Sequence, residues 1–112
     1  MTKKNETISS VTYNPAVCPV AGTLKIIGGK WKPMILYLVG EGINRFGQLS
    51  KSMPEISKHV LTQQLRDLET DGVISREVFA EIPPRVEYTL TEKGRSLLSV
   101  TQAMMQWGLA NL

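Results

Sequence analysis

The chain has 112 residues, of which 42% are hydrophobic and 21% charged, a composition that excludes a disordered protein and suits one small globular domain. Its net charge is +3 at pH 7, and its longest apolar run, "MILYLV" at residues 34–39, is far too short to cross a bilayer. One cysteine and one histidine exclude an internal disulfide and leave no pattern of metal ligands. We therefore expect a cytoplasmic protein with no membrane partner, no metal and no other cofactor.

Residues 1–14 open the chain with a polar stretch that contains two adjacent lysines and no apolar run after them. A signal peptide differs from this stretch, because its charged start is followed by an apolar segment. The sequence predicts a flexible N-terminal arm over residues 1–14 and one folded domain over residues 15–112.

Two helices are predicted at the start of the domain. Pro19 opens the first helix and Gly28 and Gly29 close it, while Pro33 opens the second and Gly40 closes it. Proline fits a first helical turn because an N–H has no intrahelical partner there, and glycine fits the position after a helix end. The second helix is apolar nearly all round, so we expect it at the centre of the core.

The next two helices have the outline of a helix-turn-helix. "RFGQLSKSMP" predicts a short helix ended by Pro54, and "EISKHVLTQQLRDLETDG" predicts a longer one after a turn of three or four residues. Ser57 is the expected N-cap of the longer helix. Apolar residues recur along that helix at helical spacing and predict one buried stripe: Leu61, Leu65 and Leu68.

From Val73 the apolar residues follow the two-residue period of strands. "ISREVFAE" and "VEYTLT" are the predicted strands, and "EIPPR" between them is too rich in proline for a ladder, so it is expected to form the hairpin tip. A two-stranded hairpin is not stable alone, so it must pack on the helix-turn-helix as a wing. The predicted fold is mainly α with a small β-hairpin, an α+β winged helix-turn-helix that dimerises through its terminal helices.

Short segments with a distinctive order run from about residue 18 to residue 108: "CPV", "IGGKW", "RFGQL", "ISKHVLTQQLRDLETDGVISREV", "PPRVEYTLTEKG" and a late "WG". In order and spacing they resemble the HxlR-type winged-helix transcription regulators, a branch of the MarR-like group. The most specific part is "PPRVEYTLTEKG" after "LTQQLRDLETDGVI". The resemblance implies a homodimeric, sequence-specific DNA-binding regulator that represses or activates transcription.

The outer face of the longer helix carries side chains that all form hydrogen bonds: His59, Thr62, Gln63 and Arg66. They lie at positions i, i+3, i+4 and i+7 and so form one strip, called here the polar strip. Such side chains read base edges in the major groove of double-stranded DNA. The alternative is a plain solvated face.

Three more residues are expected to contact phosphates. Ser57 and Lys58 lie at the start of the longer helix, where free backbone amides bind phosphate. Arg45, at the start of the short helix, is expected to contact the DNA backbone; the alternative is a plain surface charge. Residues 45–66 carry a net charge of +3, equal to that of the whole chain, and this local excess favours a polyanion.

Arg85 lies on the predicted hairpin tip, where the prolines before it stiffen the backbone. An arginine held in this way is expected to enter a minor groove or to hold a phosphate. The alternative is a surface arginine paired with Glu81 or Glu87, which contributes little.

Thr91 is the expected N-cap of one long final helix, whose first turn is weakened by Gly94. That helix carries apolar residues on more than one face, which is more than a small core needs. Together with the first helix it is expected to form a homodimer interface through Val20, Leu24, Leu98, Met104, Met105 and Trp107. A two-fold dimer separates its reading helices by about 34 Å, one turn of DNA, so the operator should be an inverted repeat. The alternative is a helix buried on both sides within one chain.

Cys18 directly precedes Pro19, at the predicted N-terminus of the first helix. Unpaired amides and the helix dipole favour the thiolate there. The resemblance implies that a cysteine at this place senses an oxidant or an electrophile, by joining its symmetry mate or a small thiol. An inert cysteine packed in the dimer interface is the alternative.

Other classes of function fit the sequence less well. An enzyme needs a nucleophile with a base, or paired carboxylates in a cleft, and His59 has no Cys or Ser at a useful spacing. We therefore expect no enzymatic activity. A winged helix that only binds proteins would carry apolar anchors on the polar strip, which has none. An alternative to control through Cys18 is control by a small molecule. Such a ligand would bind at the dimer interface, beside the methionines and tryptophan of the last helix.

Overall fold

The computed structural model describes Asn14 and residues 16–112, so the predicted arm lies outside the described residues except for Asn14. The described part forms, in order, α1 (Pro19–Ile27), α2 (Lys32–Gly40), α3 (Phe46–Ser52), α4 (Lys58–Thr70), β1 (Ile74–Phe79), β2 (Arg85–Leu90), α5 (Glu92–Ser96) and α6 (Leu98–Asn111). The two strands pair antiparallel as one sheet. This is the predicted winged helix-turn-helix, mainly α with a small hairpin.

α2 lies in the centre of the core, as predicted. Ile35 and Leu36 are completely buried and Val39 is nearly so. Met34 and Tyr37, on another side of the helix, are about half exposed. The helix is therefore enclosed on one side and open on the other, although its sequence is apolar nearly all round.

α4 packs one apolar stripe against this core. Leu61, Leu65 and Leu68 are each at most 2% exposed. Burying one leucine side chain contributes about 1.5–3 kcal/mol, so the stripe sets the rotation of the helix about its axis. The Ser57 Oγ accepts a hydrogen bond from the Val60 N–H at 3.1 Å, which confirms the predicted N-cap.

The turn between α3 and α4 is anchored by two buried side chains, Met53 and Ile56. The Met53 N–H donates to the Leu49 carbonyl, and the Ile56 N–H donates to the Met53 carbonyl, both at 3.1 Å. These bonds and the buried side chains hold the two helices at one angle. The predicted helix-turn-helix is thereby confirmed.

The hairpin pairs in a register that leaves residues 80–84 in the loop. The ladder runs from Ile74 opposite Leu90 to Phe79 opposite Arg85. Arg85 therefore opens β2, and the prediction that it lies on the tip is wrong. The reason is that prolines have no N–H to donate to a ladder, so the residue after Pro83–Pro84 is the first one that a strand can use.

The wing is joined to the rest of the domain by backbone hydrogen bonds at two places. The Tyr88 N–H donates to the carbonyl of Asn44, in the loop before α3, at 2.8 Å. The Thr91 N–H donates to the carbonyl of Val73 at 3.1 Å. The Thr91 Oγ1 accepts from the Gly94 N–H at 3.0 Å, which confirms the predicted N-cap. The bond between Tyr88 and Asn44 holds the wing beside the loop that leads into the helix-turn-helix.

The final helix, predicted to be continuous, is divided at Leu97 into α5 and α6. The Leu97 N–H donates to the Gly94 carbonyl, three residues earlier, and the Ser96 Oγ donates to the Lys93 carbonyl at 2.6 Å. A three-residue bond of this kind tightens the turn and ends the regular helix. Gly94 also has a role that the sequence did not reveal, since a Cβ there would lie 1.9 Å from the Val73 carbonyl oxygen.

Gly94→Ala should lower the free energy of unfolding by about 1–3 kcal/mol, because the added methyl group would push α5 away from the Val73 backbone. Gly47→Ala in α3 is the matched control, since a Cβ there meets nothing within 4 Å. Urea unfolding followed by circular dichroism measures both variants. Equal stability of the two variants would contradict this role of Gly94.

Candidate nucleic-acid interface

The rotation of α4 turns the polar strip away from the core. His59, Gln63 and Arg66 are exposed, and Thr62 is half-buried. The leucine stripe on the opposite side leaves these side chains no other orientation. The strip predicted from the sequence is therefore an outward-facing surface of the helix-turn-helix.

Two members of the polar strip form hydrogen bonds within α4. The Thr62 Oγ1 donates to the Lys58 carbonyl at 2.9 Å, and the Gln63 Nε2 donates to the Asp67 Oδ1 at 3.3 Å. Asp67 is also 3.5 Å from the Nζ of Lys32, whose side chain is only 13% exposed. These contacts orient both side chains, yet the Thr62 oxygen can still accept and the Gln63 amide oxygen and second N–H are still available.

The predicted phosphate contacts lie at helix starts. Lys58 is the exposed first residue of α4, and Ser57 is the exposed residue that caps it. Arg45 is exposed and occupies the N-cap position of α3. The structure brings all three to the helix-turn-helix, and their contacts with phosphate stay predictions.

A small cleft separates α4 from the wing. It has a volume of about 290 Å³ and is lined by Thr62, Arg66 and Glu69 of α4, Arg76 of β1 and Tyr88 of β2. We call it the wing cleft. Arg76 was missed by sequence reasoning, because its position beside Arg66 depends on how the hairpin packs on α4. The only signal in the sequence was its place in an alternating strand directly after that helix.

Arg85 is enclosed by two carboxylates of its own hairpin. Its Nη2 lies 2.9 Å from the Glu81 Oε2, and its Nη1 donates to the Glu87 Oε2. The guanidinium carbon lies 3.8 Å from the centre of the Phe79 ring, in cation–π geometry. The pairing with glutamates that the sequence offered as the alternative is therefore present, with both glutamates at once. Contact of Arg85 with DNA stays a prediction, and it would require these carboxylates to exchange for phosphate.

The ion pairs of Arg85 also affect protonation. Hydrogen bonding from the Arg85 guanidinium holds the pKa of the Glu81 carboxyl below its ordinary value, and the same bond raises the pKa of Arg85. Both charges thus persist at neutral pH. Arg85 contributes little free positive potential to the wing, because it is matched locally by Glu81 and Glu87.

Apolar side chains are also exposed on α1 and on α6. Five of the six residues predicted to form a dimer interface are 47–67% exposed: Val20, Leu24, Met104, Met105 and Trp107. The sixth, Leu98, packs against α2 and is partly buried within the chain. No residue of α6 is fully buried, so the alternative of a helix buried on both sides within one chain does not hold.

The exposed methionines of α6 also line an open apolar groove of about 670 Å³ between α2 and α6. Its walls include Met34, Tyr37, Met104, Met105 and Leu112.

Cys18 lies outside this groove, as the N-cap residue of α1. It is partly exposed, and its side chain makes no capping bond.

Within residues 14 and 16–112, no group of three or more histidine, cysteine, aspartate or glutamate side chains could hold a metal ion. No helix in that part of the chain is long and apolar enough to span a membrane.

Comparisons with known proteins agree with this architecture. Residues 26–112 match the model of a family described as HxlR-like helix-turn-helix. YdeP of Bacillus subtilis (strain 168), named as an HTH-type transcriptional regulator, is 54% identical over 91 residues, which are 81% of this chain and 71% of YdeP.

Two solved structures of regulators are similar to the chain. The redox regulator HypR in its oxidized form has 46% identity and a TM-score of 0.80, over 85% of this chain and 98% of that one. The reduced form of the transcriptional regulator YodB from B. subtilis has 35% identity and a TM-score of 0.71, over 81% of this chain and 90% of that one. These relatives are regulators and not enzymes. The chain belongs to the HxlR-like helix-turn-helix family.

Proposed function

We propose that this transcriptional regulator is a homodimer that binds double-stranded DNA through α4, with the wing beside it. The observation that carries the proposal is the polar strip of His59, Thr62, Gln63 and Arg66, which faces outward on a helix rigidly held by its leucine stripe. Such a strip matches the width of a major groove and the donors and acceptors on base edges. On this proposal the chain binds DNA in the cytoplasm. Its DNA-binding domain spans residues 15–112, and residues 1–14 form an N-terminal arm.

The proposed contacts fall into two groups. Gln63 and its neighbours on the polar strip read bases, since a glutamine side chain can form bidentate hydrogen bonds with adenine. Ser57, Lys58 and Arg45 bind phosphates at helix starts, where charge and free amides favour anions. Arg85 can contact DNA only after its guanidinium has separated from the carboxylates of Glu81 and Glu87.

The dimer is proposed to form through the exposed apolar surface of α1 and α6. Exposed side chains such as Trp107 (63%) and Leu24 (53%) are costly to leave in water on a small domain. A two-fold dimer formed in this way would bind an operator whose two half-sites form an inverted repeat. The groove between α2 and α6 favours a second candidate for control, an apolar small molecule bound near this interface.

Oxidation of Cys18 is the proposed switch. The thiol is partly exposed, and HypR, a similar protein, is named a redox regulator and was solved in an oxidized form. Two Cys18 thiols, one from each subunit, would lose two protons and two electrons to an oxidant such as diamide and form one Sγ–Sγ bond. A bond between subunits would change the spacing of the two α4 helices and release the operator.

The two groups of contacts predict different losses. Lys58→Ala should weaken binding to all duplexes and reduce the slope of log affinity against log salt by about 0.9, the value of one phosphate contact. Gln63→Ala should leave the slope nearly unchanged and cost about 1–3 kcal/mol of preference at one or two base pairs. Fluorescence anisotropy on selected and random duplexes at several salt concentrations measures both. Identical behaviour of the two variants on the two kinds of DNA would contradict the division of roles.

Cys18→Ser should still bind the operator after diamide or quinone treatment, whereas the unmodified chain should release it. Non-reducing electrophoresis should show a linked dimer for the unmodified chain alone. Release of DNA by Cys18→Ser to the same extent would exclude the thiol switch. In that case, release by an apolar compound with Cys18→Ser would favour the small-molecule switch instead.

A further inference from the structure

We infer that the wing cleft binds one phosphate of the DNA backbone between Arg66 and Arg76, so that β1, and not the hairpin tip, supplies the wing's main contact with DNA. This inference rests on the proposed function. It assigns a residue that the sequence did not single out, and it changes the expected role of Arg66 from reading a base to binding the backbone.

Two arginines from different elements converge on the wing cleft. Arg66 projects from α4 and Arg76 from β1, and both line a single cleft of about 290 Å³. Arg76 is paired in register with Tyr88, which is buried and lines the same cleft. The cleft therefore lies between α4 and both strands of the wing, and the buried side chains of Ile74 and Tyr88 pack the wing into the same core as the leucine stripe of α4.

The wing cleft carries more positive than negative charge. No carboxylate of the described residues lies within 4.0 Å of the guanidinium of Arg66 or Arg76. Glu69 lines the cleft too, but it balances only one of the two positive charges. Two positive charges that line one cleft create a local positive potential, which attracts an anion. Arg85, by contrast, already has two carboxylate partners.

The side chains and the position of the wing cleft favour a phosphate of DNA as the anion. A guanidinium group can donate bidentate hydrogen bonds to two oxygens of one phosphate. The cleft shares Thr62 and Arg66 with the polar strip, so it opens on the surface that α4 would turn toward DNA. When a helix enters a major groove, the phosphates that border the groove lie along its flanks, and the flank of α4 next to the wing is this cleft. A DNA phosphodiester is thus favoured over a free phosphate anion.

Arg66→Gln and Arg76→Gln should each weaken binding to a labelled random-sequence duplex about tenfold at moderate salt, since each removes a charge-assisted contact. The double variant should lose less than the product of the two single losses, because both side chains hold the same phosphate. Lys25→Gln, which removes one exposed charge from α1, is the matched control and should bind as the unmodified chain does. Thermal unfolding verifies that all four proteins are folded.

Two further measurements separate the possible outcomes. Selection from a randomised duplex pool should return the same preferred sequence for Arg66→Gln as for the unmodified chain. A changed preference at one base pair would return Arg66 to base reading and overturn the inference. Titration with inorganic phosphate tests the free anion: saturable binding lost in Arg76→Gln, with DNA binding by that variant unchanged, would also overturn it.

Failure of this inference can be told apart from failure of the proposed function. If the unmodified chain binds no duplex, the proposed function itself is wrong. If it binds, and Lys58→Ala weakens binding while Arg76→Gln does not, only the assignment of the wing cleft is wrong.

Discussion

The burial of one leucine stripe on α4 is the constraint on which the rest of the structure depends. Leu61, Leu65 and Leu68 are almost completely enclosed, and together they fix the rotation of the helix against α2. With that rotation fixed, every polar side chain on the opposite face points outward. The function proposed for the chain is a consequence of this packing, because the helix can present the polar strip to DNA without any rearrangement.

The second determinant is the way charge is distributed around that helix. Arg85 is matched by Glu81 and Glu87 on its own hairpin, and Lys32 is matched by Asp67. Arg66 and Arg76 have no such partners among the described residues. A net charge of +3 is small, so it matters which arginines are already neutralised. Arg66 and Arg76 both line the cleft between α4 and the wing, so an anion bound there would meet two arginines that lack carboxylate partners.

Local features of the fold could be predicted from the sequence with good accuracy. Pro19, Pro33 and the glycines after the first two helices mark bounds within a residue or two of those observed. Ser57 and Thr91 cap helices as expected, because N-caps depend on bonds within three residues. Family resemblance added the class of regulator, which periodicity alone does not supply.

Features that depend on contacts between distant segments could not be predicted. The register of the hairpin removed Arg85 from the tip, and the pairing of Arg76 with Tyr88 placed Arg76 beside Arg66. The close approach of Gly94 to the Val73 carbonyl likewise follows from packing of α5 against the residue that precedes β1. Helical periodicity describes one element at a time and is silent about such contacts.

The most direct measurement of the central claim is an NMR titration of the ¹⁵N-labelled chain with a short DNA duplex at low salt. The account predicts that backbone signals of residues 57–66 and of β1 shift first and most, while those of α6 change little. Shifts concentrated in α1 and α6, with the signals of α4 unmoved, would contradict it.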